Sequence, residues 1–340
     1  MQTTLGEFSK RAAVLVAFAL VPVLVWRLFD VILILIGAGL FAILIEVVAE
    51  PFRWVRLPKS LALLLSGIVI ACVIIGTGYL FGTRIAEQMD EVIRRAQEAQ
   101  GSIVVSLESS RFGKALVSHI QAAQFPVTEI AARFFSVSTT LLAAFVVTIF
   151  LGIYVAAQPV VYRDGVIKLF PPHSRARVGE TIEAVANALR FWLFGQLIEM
   201  AIIAILSGLA VWMIGLPSPI ALGIIAGVAE FVPYLGPIIA AIPAVLVATT
   251  LGLGAVIWTL TAYMFIHQAE GQLIMPIIQR RMVYVPPALM LASIITLTYL
   301  FGLTAAIFAA PITVILFVTV NKLYVRDSLG EPVALPGEDS

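Results

Sequence analysis

The chain has 340 residues, of which 61% are hydrophobic and only 12% are charged. Ordinary soluble domains carry about 25% charged residues, so the composition excludes that class and indicates a membrane protein with several spans. A net charge of +1 gives no sign of a nucleic-acid partner, and a single cysteine excludes a disulfide framework.

Three apolar runs at about 12–26, 31–48 and 60–82 predict an N-terminal three-span bundle over residues 1–82. A short polar turn, Arg27 to Asp30, separates the first two runs. The first run follows Lys10 and Arg11 but has no signal-peptide cleavage pattern, so we expect an uncleaved span. Residues 83–135 are polar, with apolar positions at helical spacing, and predict an amphipathic helical insert outside the membrane. This insert is expected to be a solvated connector or a partner-binding or gating domain.

Residues 136–326 predict the main membrane unit. A fourth span is expected at about 136–157, followed by a polar loop at 158–190 whose second half resembles an interfacial helix running into a fifth span at about 191–214. Another span is expected at about 255–275. The polar tail, residues 327–340, is predicted to be disordered and cytoplasmic.

The stretch from Leu216 to Pro243 is apolar but contains five prolines and one carboxylate, Glu230. Pro233 and Pro237 lie too close together for an uninterrupted helix, because each removes a backbone donor and clashes with the preceding turn. We therefore expect two half-helices that meet between Glu230 and Pro237. Such breaks are a sequence indicator of transporter binding sites.

The distribution of basic residues predicts the topology, since cytoplasmic loops are enriched in lysine and arginine. This rule places both termini in the cytoplasm and leaves residue 215 outside. Residues 216–252 must then form a re-entrant hairpin from the outer side, and residues 286–321 a hairpin from the cytoplasmic side. The basic residues that we expect to be cytoplasmic are Lys10, Arg11, Arg53, Arg56, Lys59, the Arg163–Arg190 loop, Arg280, Arg281, Lys322 and Arg326.

The two hairpins share a proline spacing of 24 residues, from Pro219 to Pro243 and from Pro287 to Pro311. Opposed broken segments are typical of an inverted repeat. The fold class predicted is thus an all-α polytopic membrane protein with broken helices and a possible inverted repeat. Ordinary spans kinked by proline are the alternative.

Ionisable residues are scarce between 191 and 279, where the sequence has no Lys, Arg or Asp. Such groups at membrane depth are costly and often mark an ion or substrate path. Glu230 is the strongest candidate, and its alternative role is to cap free backbone N–H groups. The predicted substrate- or ion-binding set is Gln196, Glu199, Glu230, Pro233, Gly236, Pro237, His267, Gln268 and Glu270.

The alternatives for the other candidates are structural. Gln196 and Glu199 share one helical face, and their alternative role is packing within the bundle. The alternative for His267 and Glu270 is an interfacial pair in contact with water. Hydroxyl groups at Ser293, Thr296, Thr298 and Tyr299 are candidates for a polyol-like substrate or for bonds to their own helix. Gly223 and Gly227 would permit close helix approach.

Enzyme signatures are absent: the sequence has no H-E-x-x-H, no G-x-S-x-G and no phosphate-binding loop. We therefore predict no catalytic activity, no cofactor and no metal centre.

Several motifs together resemble the autoinducer-2 exporter family of PerM-like permeases. They are Gly215-Leu-Pro-Ser-Pro, the core Glu230-Phe-Val-Pro-Tyr-Leu-Gly-Pro, the run from His267 to Pro276, and the positions of Pro287 and Pro311. The resemblance is tight over about 190–325. It implies a multispanning inner-membrane transporter that forms a homo-oligomer, possibly a pentamer. Where the family commonly has a Gly-Lys-Ser turn, this chain has Gln279-Arg-Arg.

The resemblance and the residues leave three functions open. The first is a secondary transporter that exports a small polar solute such as autoinducer-2 by alternating access. The second is a Na⁺ (Li⁺)/H⁺ antiporter that uses the same acids. The third is a membrane scaffold whose insert recruits partners. The expected partners are the lipid bilayer, the solute or a monovalent cation or proton, and further copies of the chain.

Overall fold

The computed structural model describes residues 20, 23–76, 145–249, 251–279 and 285–334. Within these ranges the chain is helical and contains no strand, which confirms the predicted all-α class. The predicted insert at 83–135 and most of the first span lie outside the described residues.

The helices are named here in chain order. They are α1 (Phe29–Trp54), α2 (Lys59–Gly76), α3 (Phe145–Ala157), α4 (Pro159–Lys168), α5 (Arg175–Ile214), α6 (Pro219–Ala229), α7 (Gly236–Thr249), α8 (Leu253–Ala269), α9 (Met275–Gln279), α10 (Pro287–Phe301) and α11 (Leu303–Val320).

Several helices are long and apolar enough to cross a membrane. They are Phe29–Trp54, Lys59–Gly76, Pro172–Ile214 and Thr304–Arg326, with the bent pair α3 and α4 as a fifth candidate. Helices α6, α7 and α10 are apolar but shorter, with 11, 14 and 15 residues. A break at residues 230–235 divides the first proline-rich stretch into two short helices, and a break at Gly302 divides the second into the short α10 and the longer α11, where the sequence predicts hairpins.

The polar segment predicted as a loop at 158–190 is largely helical. Helix α4 begins at Pro159, whose missing N–H is tolerated in a first turn, and it bends 93° away from α3. Helix α5 then runs without interruption for 40 residues across the boundary expected near Arg190. At about 1.5 Å per residue it is about 60 Å long, enough to extend well beyond a bilayer core.

Glycine residues bring α5 and α6 into backbone contact. A Cβ added to Gly223 would lie 2.5 Å from the carbonyl oxygen of Ala204, and one added to Gly227 would lie 2.5 Å from that of Met200. Without a side chain at these positions the two helices approach more closely than side-chain packing allows. The two glycines of the Gly-x-x-x-Gly pattern in the sequence form the contact that holds α6 on α5.

Two apolar clusters lie on either side of the middle of α5. We call the first the α10–α11 core and the second the α6–α8 core. The α10–α11 core includes Leu189, Leu193, Met290, Ile294 and Val314, with Phe231 at its edge. The α6–α8 core includes Ile203, Leu222, Ala244, Tyr263 and Ile266, with Ala229 at its edge.

Asp327, the first residue of the predicted tail, belongs to a network of ion pairs. Lys322 is buried, and its Nζ donates to Glu180 Oε2 at 3.0 Å and to Asp327 Oδ1 at 3.1 Å. The Arg177 side chain lies 3.5 Å from the other Asp327 oxygen. These ion pairs fix residues 322–327 against the first turns of α5. Residues 335–340 lie outside the described residues.

We expect Gly227→Ala to lower the free energy of unfolding by about 1–3 kcal/mol, because the new methyl group overpacks a backbone contact. Thermal unfolding of the purified protein in detergent measures this. Gly39→Ala is the matched control, since a Cβ at Gly39 has nothing within 4 Å. An equal loss of stability in both variants would contradict the contact described here.

Candidate functional site

A six-residue turn joins α6 to α7, because α6 ends at Ala229 and α7 begins at Gly236. The turn satisfies much of its own backbone: Glu230 N–H donates to Ala226 O at 3.1 Å, and Gly236 N–H donates to Val232 O at 2.8 Å. Pro233 has no N–H to satisfy. Backbone polar groups at this position are thus paired even though the helix is broken.

Gly236 and Tyr234 give this turn its shape. A Cβ at Gly236 would lie 2.6 Å from Ala229 O and 2.7 Å from Glu230 Cα, so only glycine fits where α7 folds back against the end of α6. Tyr234 has a φ of 66°, a left-handed conformation that non-glycine residues seldom adopt. Such strain persists only where the surroundings impose it, and it concentrates at functional sites.

Glu230 follows the last residue of α6 and is 1% exposed. Its backbone carbonyl accepts a hydrogen bond from Gln196 Nε2 of α5 at 2.9 Å. Its Oε2 atom has no hydrogen-bond partner among the described residues. Gln196 therefore positions the turn, while the Glu230 carboxylate remains available to a ligand.

His267 and Glu270 approach Glu230 from the end of α8. His267 Nδ1 lies 2.6 Å from Glu270 Oε2 and 3.9 Å from Glu230 Oε2. One ligand atom from each of the three residues can be chosen so that all lie within 4.8 Å of one another. We call these three residues the acidic triad.

The helix widens at the triad. A π-helical turn, Glu270–Ile274, separates α8 from α9, and Pro276 follows at the second residue of α9. Proline cannot donate the bond to the carbonyl four residues earlier and would clash with it, so a wider turn relieves the conflict. Single π-helical turns often occur at functional sites.

Glu199 adds a fourth titratable group. It is 7% exposed, and its Oε1 has no hydrogen-bond partner among the described residues. Glu199 lies one turn after Gln196 on α5, near enough to Glu270 for the two carboxylates to repel each other when both are ionised. The site thus combines three carboxylates with one imidazole, and the sequence between 191 and 279 supplies no lysine or arginine to neutralise them.

Carboxylate oxygens and an imidazole nitrogen are suitable ligands for a proton or a small cation. An uncompensated carboxylate is too costly to bury, so such a site takes up positive charge or a proton. The arrangement is suited to binding and releasing cations, and it is a poor site for an anion.

The structure brings together most residues that the sequence singled out. Gln196, Glu199, Glu230, His267 and Glu270 meet, and Pro233, Gly236 and Pro237 shape the turn. Gln268 does not join them, because its side chain is exposed on the other side of α8. The predicted hydroxyl set is also separate: Thr298 Oγ1 donates to Ile294 O, and Tyr299 is 87% exposed.

Sequence reasoning missed two buried hydroxyl groups near the triad. Ser207 lies eight residues after Glu199 on α5, and Tyr263 lies four residues before His267 on α8. Both are at most 2% exposed, and neither hydroxyl has a hydrogen-bond partner among the described residues. Their helical spacing from Glu199 and His267 is the signal that would have identified them.

We expect Gln196→Leu to destabilise the protein by about 1–3 kcal/mol, because it leaves the buried Glu230 carbonyl without a donor. Thermal unfolding in detergent measures the effect. Gln268→Leu is the control, since Gln268 is exposed and its loss should leave stability unchanged. Equal stability of the two variants would show that the bond to the turn contributes nothing.

The chain is similar to two proteins of Bacillus subtilis (strain 168). "Putative transport protein YrrI" is 31% identical over 167 residues, which cover 49% of this chain and 47% of that protein. "Putative transport protein YueF" is 21% identical over 203 residues, or 60% of this chain and 55% of that protein. The chain thus spans about half the length of the curated relatives it matches. The family model described as "AI-2E family transporter" matches residues 13–324, and the chain therefore belongs to the AI-2E transporter family.

Proposed function

We propose that the protein is a secondary transporter in which the acidic triad and Glu199 bind a proton or a monovalent cation. Movement of this ion is coupled to outward transport of a small polar solute by alternating access. The observation that carries the proposal is the Glu230 carboxylate, which is 1% exposed at a helix break. Its Oε2 atom lies 3.9 Å from His267 Nδ1 and has no hydrogen-bond partner in the part of the chain that the structure describes.

The position of the triad supports a coupling role. Glu230 lies between Ala229 of the α6–α8 core and Phe231 of the α10–α11 core. A change in the charge of Glu230 therefore acts at the boundary between two packed units. Uptake of a proton or cation reduces the cost of keeping this boundary closed, and release of the ion favours hydration and opening.

The solute and the setting rest on the family. We propose a solute of the autoinducer-2 type, an inner-membrane location with both termini in the cytoplasm, and assembly into a homo-oligomer. Breaks at residues 230–235 and at Gly302, where φ is 83°, support the proposed pair of opposed hairpins. Broken elements of this kind form the moving parts of many secondary transporters.

The second candidate is a Na⁺ (Li⁺)/H⁺ antiporter, and a specific observation favours it. Three ligand atoms from Glu230, His267 and Glu270 within 4.8 Å of one another could hold a small cation as cargo in exchange for protons. A membrane scaffold, by contrast, gives no reason to bury three carboxylates without a lysine or arginine partner.

We expect Glu230→Gln to reduce ion-coupled flux by at least about a hundredfold, because the amide cannot exchange a proton or neutralise a cation. The measurement uses purified protein in liposomes that enclose a pH-sensitive dye, with Na⁺, Li⁺ or K⁺ gradients and with labelled autoinducer-2 efflux. Glu183→Gln is the control, since Glu183 is exposed and pairs with Arg163 on the protein surface.

The outcomes separate the candidates. Cation-dependent proton flux that is lost in Glu230→Gln supports the antiporter, and solute efflux without cation dependence supports the exporter. If Glu230→Gln and Glu270→Gln both leave every flux unchanged, the assigned site is wrong.

A further inference from the structure

Within the described ranges, five buried side-chain atoms without hydrogen-bond partners lie on α5, on α8 and in the turn between α6 and α7. They are Glu199 Oε1, Ser207 Oγ, Glu230 Oε2, Tyr263 Oη and His267 Nε2. Buried polar atoms in folded proteins are nearly always paired with protein or with water. Several such atoms in contacting elements therefore point to mobile water or protons between them.

Side chains along the contact of α5 with α8 form two groups, which we call stations. The hydroxyl station is Ser207 and Tyr263, and the acidic station is Glu199 and Glu270. On α8, Tyr263, His267 and Glu270 follow each other at spacings of four and three residues, so they share one face. At the hydroxyl station, Tyr263 packs in the same apolar cluster as Ile203 and Val211, which lie one turn on either side of Ser207. At the acidic station, Glu199 lies near Glu270. The seven residues from Tyr263 to Glu270 correspond to about 10 Å along the helix axis.

Other hydroxyl groups in the bundle are satisfied by their own helices. Ser66, Thr259 and Thr313 each donate to the carbonyl oxygen four residues earlier, at 2.6–2.8 Å. Ser207 is as deeply buried, but it makes no such bond to Ile203. Its hydroxyl is therefore free to bond a water molecule or Tyr263.

His267 lies between the two stations. Its Nδ1 is 2.6 Å from Glu270 Oε2, and its ring centroid is 6.2 Å from that of Tyr263. When the Nδ1–H group donates a hydrogen bond to the carboxylate, the ring is neutral and Nε2 is an acceptor. Nε2 is buried and has no hydrogen-bond partner among the described residues. This is the atom at which a proton from the hydroxyl station can enter.

We propose that Ser207 and Tyr263 form a hydroxyl relay that delivers protons through water to His267 Nε2, from where they reach the acidic triad. This inference rests on the proposed ion-coupled transport. One proton binds Nε2, and the imidazolium releases its Nδ1 proton to Glu270 Oε2. The ring is then neutral with its proton on Nε2. The same two transfers in reverse carry a proton from Glu270 back to the hydroxyl station and restore the first tautomer, so the relay can run in either direction.

The charged and titratable groups near His267 come from the elements that contact α8 and from α8 itself. Glu230 of the turn before α7 and Glu270 of the π-helical turn face His267, and Tyr263 shares α8 with it. Glu199 of α5 and Tyr234 of the turn lie near Glu270. All the facing charges are therefore acidic, and they attract a proton toward the triad end of the relay. Tyr263 and Ser207 are neutral and pass protons without storing charge.

The first test measures cation-driven proton flux in liposomes with Na⁺, Li⁺ and K⁺ as probes. The double variant Tyr263→Phe/Ser207→Ala is expected to lower the maximal rate at least about tenfold, the scale of a lost proton-transfer group, while the half-saturating cation concentration stays unchanged. Thr259→Val is the matched control, because it removes a buried hydroxyl one turn away that its own helix already satisfies. This control should transport at the wild-type rate.

The relay is overturned if the double variant keeps the wild-type rate while Glu230→Gln abolishes flux. It is also overturned if only the half-saturating concentration changes, since the hydroxyl groups then bind the cargo. Loss of flux in neither variant refutes the proposed function instead.

A second readout does not depend on transport. The chain has three histidines, so ¹⁵N-histidine labelling gives a simple spectrum, and His119→Gln and His173→Gln identify the His267 signals. Tyr263→Phe is expected to shift the tautomer balance of His267 and the Nε2 resonance, and Thr259→Val is not. A His267 spectrum unchanged by Tyr263→Phe would show that no proton passes between these residues.

Discussion

The backbone contact between α5 and α6 determines where the acidic group lies. Gly223 and Gly227 let the short helix α6 rest directly on Ala204 and Met200 of α5. Helix α6 ends two residues after this contact, and Glu230 follows at once. The carbonyl of Glu230 therefore arrives within reach of Gln196, and its carboxylate arrives near Glu199. Larger residues at the two glycines would move the turn away from α5 and separate the groups that make the site.

The charge of the side chains at this position determines what the site can bind. Three buried carboxylates and one half-buried imidazole lie where the two apolar cores meet, and the sequence between 191 and 279 provides no lysine or arginine. Elsewhere the protein does pair its charges: Lys322 contacts Glu180 and Asp327, and Arg190 contacts Glu50 at 2.9 Å. The three carboxylates of the site are thus an exception. Burying carboxylates without a lysine or arginine partner costs free energy, and a role in ion passage would explain why they are buried.

Much of this arrangement could be predicted from single residues. Pro233 and Pro237 indicated the break, the rarity of charge singled out Glu199, Glu230, His267 and Glu270, and the glycine spacing indicated close packing. Tyr263 and Ser207 could not be predicted, because apolar spans often contain tyrosine and serine, and only the packing shows whether a hydroxyl group is paired.

The position of Gln268 could not be predicted from the sequence either. Its neighbours His267 and Glu270 favour a role in the site, but the helix register of α8 directs the Gln268 side chain away from them. Helix α4 was missed because polar composition alone suggested a loop, although Pro159 is well placed to begin a helix.

The length of α5 links the site to the ion pairs of Lys322. This helix carries Glu180 at one end, Gln196 and Glu199 at its middle, and Ser207 beyond them, without an internal proline or break. Because α6 is fixed to α5 by backbone contact, the two helices must move as one unit if the site opens.

Any change in geometry that opens the site then has to occur in the segments next to α5 and α6. Gly252 and Gly302, with φ values of 102° and 83°, directly precede α8 and α11 and provide joints in those segments. The triad joins residues from both sides of such a movement, since Glu230 follows α6 while His267 and Glu270 belong to the end of α8. An ion bound between them would hold the two parts together, and its release would let them separate.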